Sequence, residues 1–266
     1  MIAVIVPIYN TEKYLRETID SVICQTLSFA EHIRLILLDD ASTDGSFAIC
    51  EQYQKQYPKQ ILVKHYDTNQ GVSALRNEGV RIAGEMGDEL ITFLDSDDKL
   101  ADDAMEKAVQ YFDAHEDVFV AAIGIRYFDA YEGEQRLNWR FEKTDVVDIK
   151  KDYTYPHYYV GGVFLRHAVL DELHFDESLS FWEDALAVNQ VIVSQGKYGL
   201  IAGTHYYYRK REDESSLVDT AWHKKERYTT LLSSGYGQLF AYSRKKHHRI
   251  IPYVQYMVCL LYTSPS

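Results

Sequence analysis

Between residues 1 and 125, short apolar runs alternate with helical stripes, and that alternation leaves few folds open. The runs are Ala3–Ile8, Ile33–Leu38, Ile61–Tyr66, Leu90–Leu94 and Val118–Ile125. Between the first two, apolar side chains recur at Tyr14, Leu15, Ile19, Val22 and Ile23, one face of a helix. Segments 45–53, 72–83 and 101–114 read as helices in the same way. Strands separated by helices require right-handed crossovers and a mostly parallel sheet. The expected fold class is therefore α/β, a parallel sheet flanked by helices.

Beyond residue 126 the pattern loosens. Residues 127–152 are polar and suit short antiparallel pieces. Gly161-Gly162-Val-Phe-Leu165 reads as a strand with a close backbone approach, 183–194 as a helix, and 198–202 as a short strand. Helices of mixed charge are expected from Trp222 onward. No linker rich in Pro, Gly or Ser divides the chain, so one domain with a C-terminal helical extension is the economical reading, 1–218 and then 219–266.

Lys and Arg number 28 against 40 Asp and Glu, a net charge of −12. That excludes a protein held to nucleic acid by bulk phosphate attraction. Cys24, Cys50 and Cys259 are sparse, odd in number and far apart, as in a reducing compartment. The first eight residues lack a basic n-region and read as a strand, not a signal peptide. No apolar run approaches a membrane-spanning length.

In an open α/β sheet, ligands bind outside the carboxyl ends of the strands. Those ends carry Pro7-Ile-Tyr9-Asn10, then Asp39-Asp40-Ala-Ser-Thr-Asp44-Gly45, and Asp95-Ser96-Asp97-Asp98; the third helix carries Arg76-Asn77. Carboxylates this close repel one another unless a cation or hydrogen-bond donors lie among them. Mg²⁺ or Mn²⁺ suits such oxygen ligands; Asp98 or Asp102 could instead cap the following helix. Phe181-Trp-Glu183-Asp184 is either a helix-capping arrangement or a general base with its neighbour. His205-Tyr-Tyr-Tyr-Arg209-Lys-Arg211, followed by Ser215-Ser216, is either a diphosphate site or a charged loop. Neither a G-x-G-x-x-G turn nor a P-loop is present, which counts against a nicotinamide dehydrogenase and a P-loop enzyme.

Val6-Pro-Ile-Tyr-Asn10, Leu38-Asp-Asp-Ala-Ser-Thr-Asp-Gly45, Ala74-Leu-Arg-Asn77, Phe93-Leu-Asp-Ser-Asp-Asp98 and Trp182-Glu-Asp184 occur in this order. Together they resemble the family 2 glycosyltransferases with a GT-A fold, over residues 1–216. The Tyr-Tyr-Tyr-Arg-x-Arg segment and Ile251-Pro-Tyr-Val-Gln-Tyr256 look most like bacterial members that decorate teichoic acids or build capsules. The resemblance implies an inverting, metal-dependent transfer from a UDP-sugar to a glycan or polyol-phosphate hydroxyl. It implies a cytoplasmic protein without a transmembrane segment, able to work at the inner face of the cell membrane.

Residue by residue, it implies that Pro7, Tyr9 and Asn10 line the nucleoside pocket. Asp39 would accept from the uracil imide, Arg76 approach uracil and phosphate, and Asp95 and Ser96 meet the donor at the ribose. Asp97, with His205, would hold Mn²⁺ or Mg²⁺, and Arg211 the leaving diphosphate. Asp184 would be the base and Glu183 its neighbour at the acceptor. Gly161 and Gly162 would let the backbone approach the donor sugar. Many relatives have Gly where Ala41 stands; a type I turn would need no positive φ there. The alternatives are a nucleotidyltransferase and a catalytically inactive sugar-binding module. Val258–Ser266 resembles translated sequencing-adapter read-through, so a truncated gene and a poorly packed tail are expected, one whose removal after residue 250 spares nucleotide binding.

Overall fold

A computed structural model describes residues 1–211, 229 and 231–263. The elements run β1 (Ile2–Ile8), α1 (Glu12–Ile23), α2 (Phe29–His32), β2 (Ile33–Asp39), α3 (Ser46–Gln56), β3 (Ile61–His65), α4 (Val72–Glu85), β4 (Leu90–Phe93), β5 (Lys99–Leu100) and α5 (Ala104–Ala114). Then come β6 (Val120–Asp129), β7 (Gly133–Glu134), β8 (Val146–Asp148), β9 (Val163–Arg166), α6 (Glu183–Gln195), β10 (Lys197–Lys210), α7 (Gly237–His247) and α8 (Pro252–Thr263).

The sheet order is β3-β2-β1-β4-β9-β6-β10-β5, with β7 on β6 and β8 on β10. Strands β3, β2, β1 and β4 are parallel, and β10 is parallel to β6. Between these two groups β9 pairs antiparallel with both neighbours. Along β1 the side chains divide by the two-residue period. Ala3 and Ile5 enter the core shared with α4, α6, α7 and α8, and Val4, Val6 and Ile8 the core shared with α1, α3 and α5. The result is three layers, helix, sheet and helix. After β1 the chain steps outward to β2 and β3, then returns to the other side of β1 as β4. The direction of growth reverses there, where doubly wound sheets open a ligand crevice.

Two expectations need correction. The short strand read at 198–202 and the segment from His205, read as a diphosphate site or a charged loop, form one strand, β10, whose register on β6 slips between Ile201 and His205 with Gly203 at φ 77°. The helix expected from 101 starts at Ala104, because Lys99–Leu100 pair first with β10. Just before the tail expected to be poorly packed, Ile251, Tyr253, Val254 and Met257 are all but inaccessible and belong to the core, whereas in that tail Val258 is partly buried and Cys259 exposed, and the side chains from 261 on lie outside the described residues. The spacing of the four core residues is one helical face, a pattern passed over at Pro252. The helix expected from Trp222, the segment 212–216 and the domain boundary at 218 lie outside the described residues.

Candidate active site

A cleft of about 570 Å³ opens at the carboxyl ends of β1 and β4. Pro7, Tyr9, Arg76, Asp95, Ser96, Asp97, Glu183, Asp184 and Arg211 all line it, though they come from residues up to 204 positions apart. The fold therefore gathers most of the motifs that sequence reading singled out.

Arg76, on α4, joins the two acidic groups. Its guanidinium donates to Asp95 at 3.1 Å and to Glu183 at 3.0 Å, 19 and 107 positions away. Only 6% of its side chain is exposed and 12% of that of Glu183, so this pair is shielded from water, while the Asp95 pair opens to the cleft. Glu183 and Asp184 open α6. The turn before them needs Trp182 at φ 71°, a left-handed conformation that aims the helix start at the cleft. Burial and then the neighbouring Glu183 push the Asp184 carboxyl up to about 7, while Arg76 pulls it down. At neutral pH that carboxyl can either hold or take a proton.

The acidic loop after β4 contains unlike members. Asp98 is buried and accepts from the Arg209 backbone N–H and the Tyr206 hydroxyl, each at 2.7 Å. Burial, with Asp97 and Asp95 close by, raises its pKa well above the usual carboxylate range. Asp98 thus pins the loop to β10, and the cap of α5 is Asp103. Asp95 and Asp97 face the cleft, with 38% and 23% of their side chains exposed, and Asp97 meets Arg211 at 2.5 Å. Among the described residues no group of three or more His, Cys, Asp or Glu could hold a metal ion. Two carboxylates completed by the oxygens of a diphosphate make the mixed shell that Mg²⁺ or Mn²⁺ takes. The residues fit a cation bound together with a nucleotide.

Three expected site residues do not line the cleft. His205 stands on the opposite face of β10 from Tyr206, as strand alternation dictates, with Glu134 3.8 Å away. It is not beside Asp97. Asn10, at φ 52°, accepts from the Thr43 backbone N–H at 2.8 Å and braces the β2–α3 turn. Asp39 is fully enclosed, held by His65 at 2.7 Å, with its Oδ1 lacking a hydrogen-bond partner. The carboxylate in the wall there is Asp40, which accepts from the Gln70 and Gly71 backbone N–H groups. Ala41 also departs from expectation. It sits at φ 60°, where a glycine would be unstrained.

Beside the expected Gly161, sequence reading missed the rest of the far wall, Tyr158-Tyr159-Val160, and the Tyr206 ring beneath it. A Cβ on Gly161 would meet that ring at 2.7 Å, so a glycine here lets the backbone lie against Tyr206. The wall is held from behind. Arg140, fully buried, donates to the carbonyls of Leu137 and Pro156 and to the hydroxyls of Tyr198 and Tyr159. Asn189 donates to the His157 carbonyl and accepts from the Tyr253 hydroxyl, and the Tyr158 hydroxyl donates to the Met257 carbonyl. Helix α8 thereby reaches the cleft through hydrogen bonds. The tyrosine-rich composition was the available signal, but it does not say which tyrosines.

Comparison with known proteins agrees with this geometry. Residues 3–174 match the family described as Glycosyl transferase family 2. The chain is 42% identical over 260 residues to the minor teichoic acid biosynthesis protein GgaA of Bacillus subtilis, covering 97% of this chain and 58% of that protein. It is 36% identical to GgaB of the same organism, covering 96% of this chain and 28% of that protein. The chain thus spans little more than half of one relative and about a quarter of the other. Among solved structures, TarS 1–349 of S. aureus in complex with UDP-GlcNAc superposes with a TM-score of 0.79 at 22% identity, covering 99% of this chain and 73% of that one. The mannosyltransferase PcManGT of Pyrobaculum calidifontis, in complex with GDP-Man and Mn²⁺, gives 0.67 at 17% identity, covering 98% and 69%. These likenesses support the GT-A architecture. With its five motifs gathered around one cleft and this match, the chain belongs to glycosyl transferase family 2.

Proposed function

We propose that the chain transfers a sugar from a UDP-sugar to a hydroxyl of a teichoic-acid-type or related cell-surface glycan, inverting the anomeric centre in a single displacement. The observation that carries this reading is the Arg76 bridge, which joins a diphosphate-type acidic loop to a carboxyl pair whose second member titrates near neutrality. The GgaA and TarS likenesses favour the UDP-sugar donor and the teichoic-acid acceptor.

Pro7, Tyr9 and Asp40 take the nucleoside end. The orphaned Oδ1 of Asp39, just behind, is the acceptor a uracil imide N–H would satisfy if the wall opens around it. Asp95 and Ser96 meet the ribose, Arg76 and Arg211 balance the diphosphate charge, and Glu183 orients the acceptor. Asp97, with Asp95 beside it, would hold Mn²⁺ or Mg²⁺, which when bound neutralises charge on the departing diphosphate. Asp184 takes the proton from the acceptor hydroxyl as the new bond forms, and one such base suffices for inversion. A UDP-sugar donor assigns the work to the cytoplasm, at the inner face of the membrane where a surface polymer is assembled. No helix among the described residues is long and apolar enough to cross a membrane.

The test is product analysis over a panel of UDP-sugars with glycan and polyol-phosphate acceptors. Free UDP with a glycosylated acceptor is expected. Pyrophosphate would signify a nucleotidyltransferase, and sugar binding without turnover an inactive module. Full transfer in excess EDTA would end the metal assignment.

A further inference from the structure

The Tyr206-Tyr207-Tyr208 run has a use that the donor site leaves unexplained. Strands β6 and β10 pair Ile125 with Tyr206, and both line the cleft. Two residues further along, on the same face, Tyr127 pairs with Tyr208, and beyond them lies Lys210. The Tyr127 and Tyr208 rings meet edge to face at 6.0 Å, and Tyr131 follows at 5.8 Å from Tyr127. The Lys210 ammonium lies 5.4 Å and 5.2 Å from the Tyr127 and Tyr208 rings. Tyr131, the outermost ring, is 58% exposed. The cleft floor thus continues outward as a file of three aromatic rings with a cation beside two of them.

We propose that this face is a subsite for the acceptor chain, taking sugar units beyond the one that carries the reacting hydroxyl. The proposal rests on the transfer reading and adds to it where the polymer lies. A sugar ring has an apolar C–H face and a polar rim, which a tyrosine matches with its ring face and hydroxyl. Lys210 can donate to a sugar hydroxyl or a phosphodiester oxygen. The nucleoside end of the cleft is built at β1. Strand β10 is four places from β1 in the sheet, about 19 Å at ordinary strand spacing. Tyr208 belongs to the cleft and to the file at once, so a chain entering the cleft can stay in contact with both.

The experiment compares a long glycosyl polyol-phosphate oligomer with its single repeat as acceptors for the full chain. Tyr131→Ala and Lys210→Gln should each raise KM for the long oligomer about tenfold, the effect of losing one stacking or charged contact. KM for the single repeat, kcat on it and donor binding should stay as in the wild type. Equal losses on both acceptors, or none on either, would overturn the subsite. So would a changed oligomeric state of Tyr131→Ala with unchanged acceptor kinetics, since the face would then bind another copy. If the wild type releases UDP from no donor, the transfer reading fails instead. Direct binding of the long oligomer then decides the subsite alone: weaker binding by Tyr131→Ala supports it, and equal binding overturns it.

Discussion

The two ends of the cleft are made differently. At the β1–β4 end, each wall residue follows its own strand, and the supports are close in sequence: Asp44 caps Ser46, and Asp39 holds Ser42. At the Tyr158–Asp184 end the wall is a loop and a helix start, supported by Arg140, Asn189, Tyr253 and Met257. The first end is a property of local βαβ units. The second exists only when segments up to 99 residues apart have come together. Among the described residues the ion pairs that join them are those of Arg76, so nucleotide binding and proton removal should respond to different substitutions.

The harshest way to probe this contrast is to end the chain at residue 250. That deletes Ile251, Tyr253, Val254 and Met257 from the core. At about 1.5–3 kcal/mol for each buried side chain, the loss rivals the whole stability of a domain. Circular dichroism should show loss of cooperative melting. A truncated chain that melts normally and binds UDP like the full one would break the comparison.

Next in size is Asp184→Asn, which should lower turnover about 10²–10⁴-fold while calorimetry finds UDP-sugar affinity unchanged. Near-normal turnover would remove the base from the second end. The same carboxyl sets a pH dependence. Because it must be deprotonated to act, kcat/KM should rise with pH and level off above about 7. Its native pKa is raised, so between the ordinary carboxylate range and about 7 the folded state binds the extra proton. Its contribution to stability is therefore present at low pH and is lost as pH rises through about 7. Asp184→Asn should flatten both curves.

A smaller effect belongs to the nucleoside end. Asp39→Asn should erode the preference for UDP over CDP by about one tenfold step, since one hydrogen bond to a charged acceptor changes partner. An unchanged preference, with Asp40→Asn altering it instead, would move the uracil contact to the cleft-facing carboxylate. The smallest is Ala41→Gly. It relieves a left-handed alanine and should raise stability by about 1 kcal/mol at most, offset in part by glycine's greater freedom when unfolded.

The sequence revealed the first end better because its signals are local. Apolar runs, their acidic terminators and the stripe from Tyr14 to Ile23 each declare themselves within a dozen residues, and the folded strands match them closely. Ala41 was misjudged because turn type depends on how Asn10 and Thr43 meet, a contact 33 positions long. His205 was misplaced because its face depends on the register slip at Gly203, which no neighbouring residue announces. At the second end, Trp182-Glu-Asp184 was legible as a motif. The wall behind it was not, because a tyrosine in the wall and one in the core are spelled alike.

Arg140 has a consequence for the order of assembly. None of its hydrogen-bond partners above is a carboxylate; its charge is shared among backbone carbonyls and tyrosine hydroxyls at positions 137 to 198. A partly assembled shell would leave a guanidinium half dehydrated, which costs more than leaving it in water. Burial of that one cation therefore acts as a latch that closes last and releases as a whole. The amides of residues 157–161 and of α8 should then exchange hydrogen together, as one cooperative unit, while those of β1 and β2 exchange more slowly and separately.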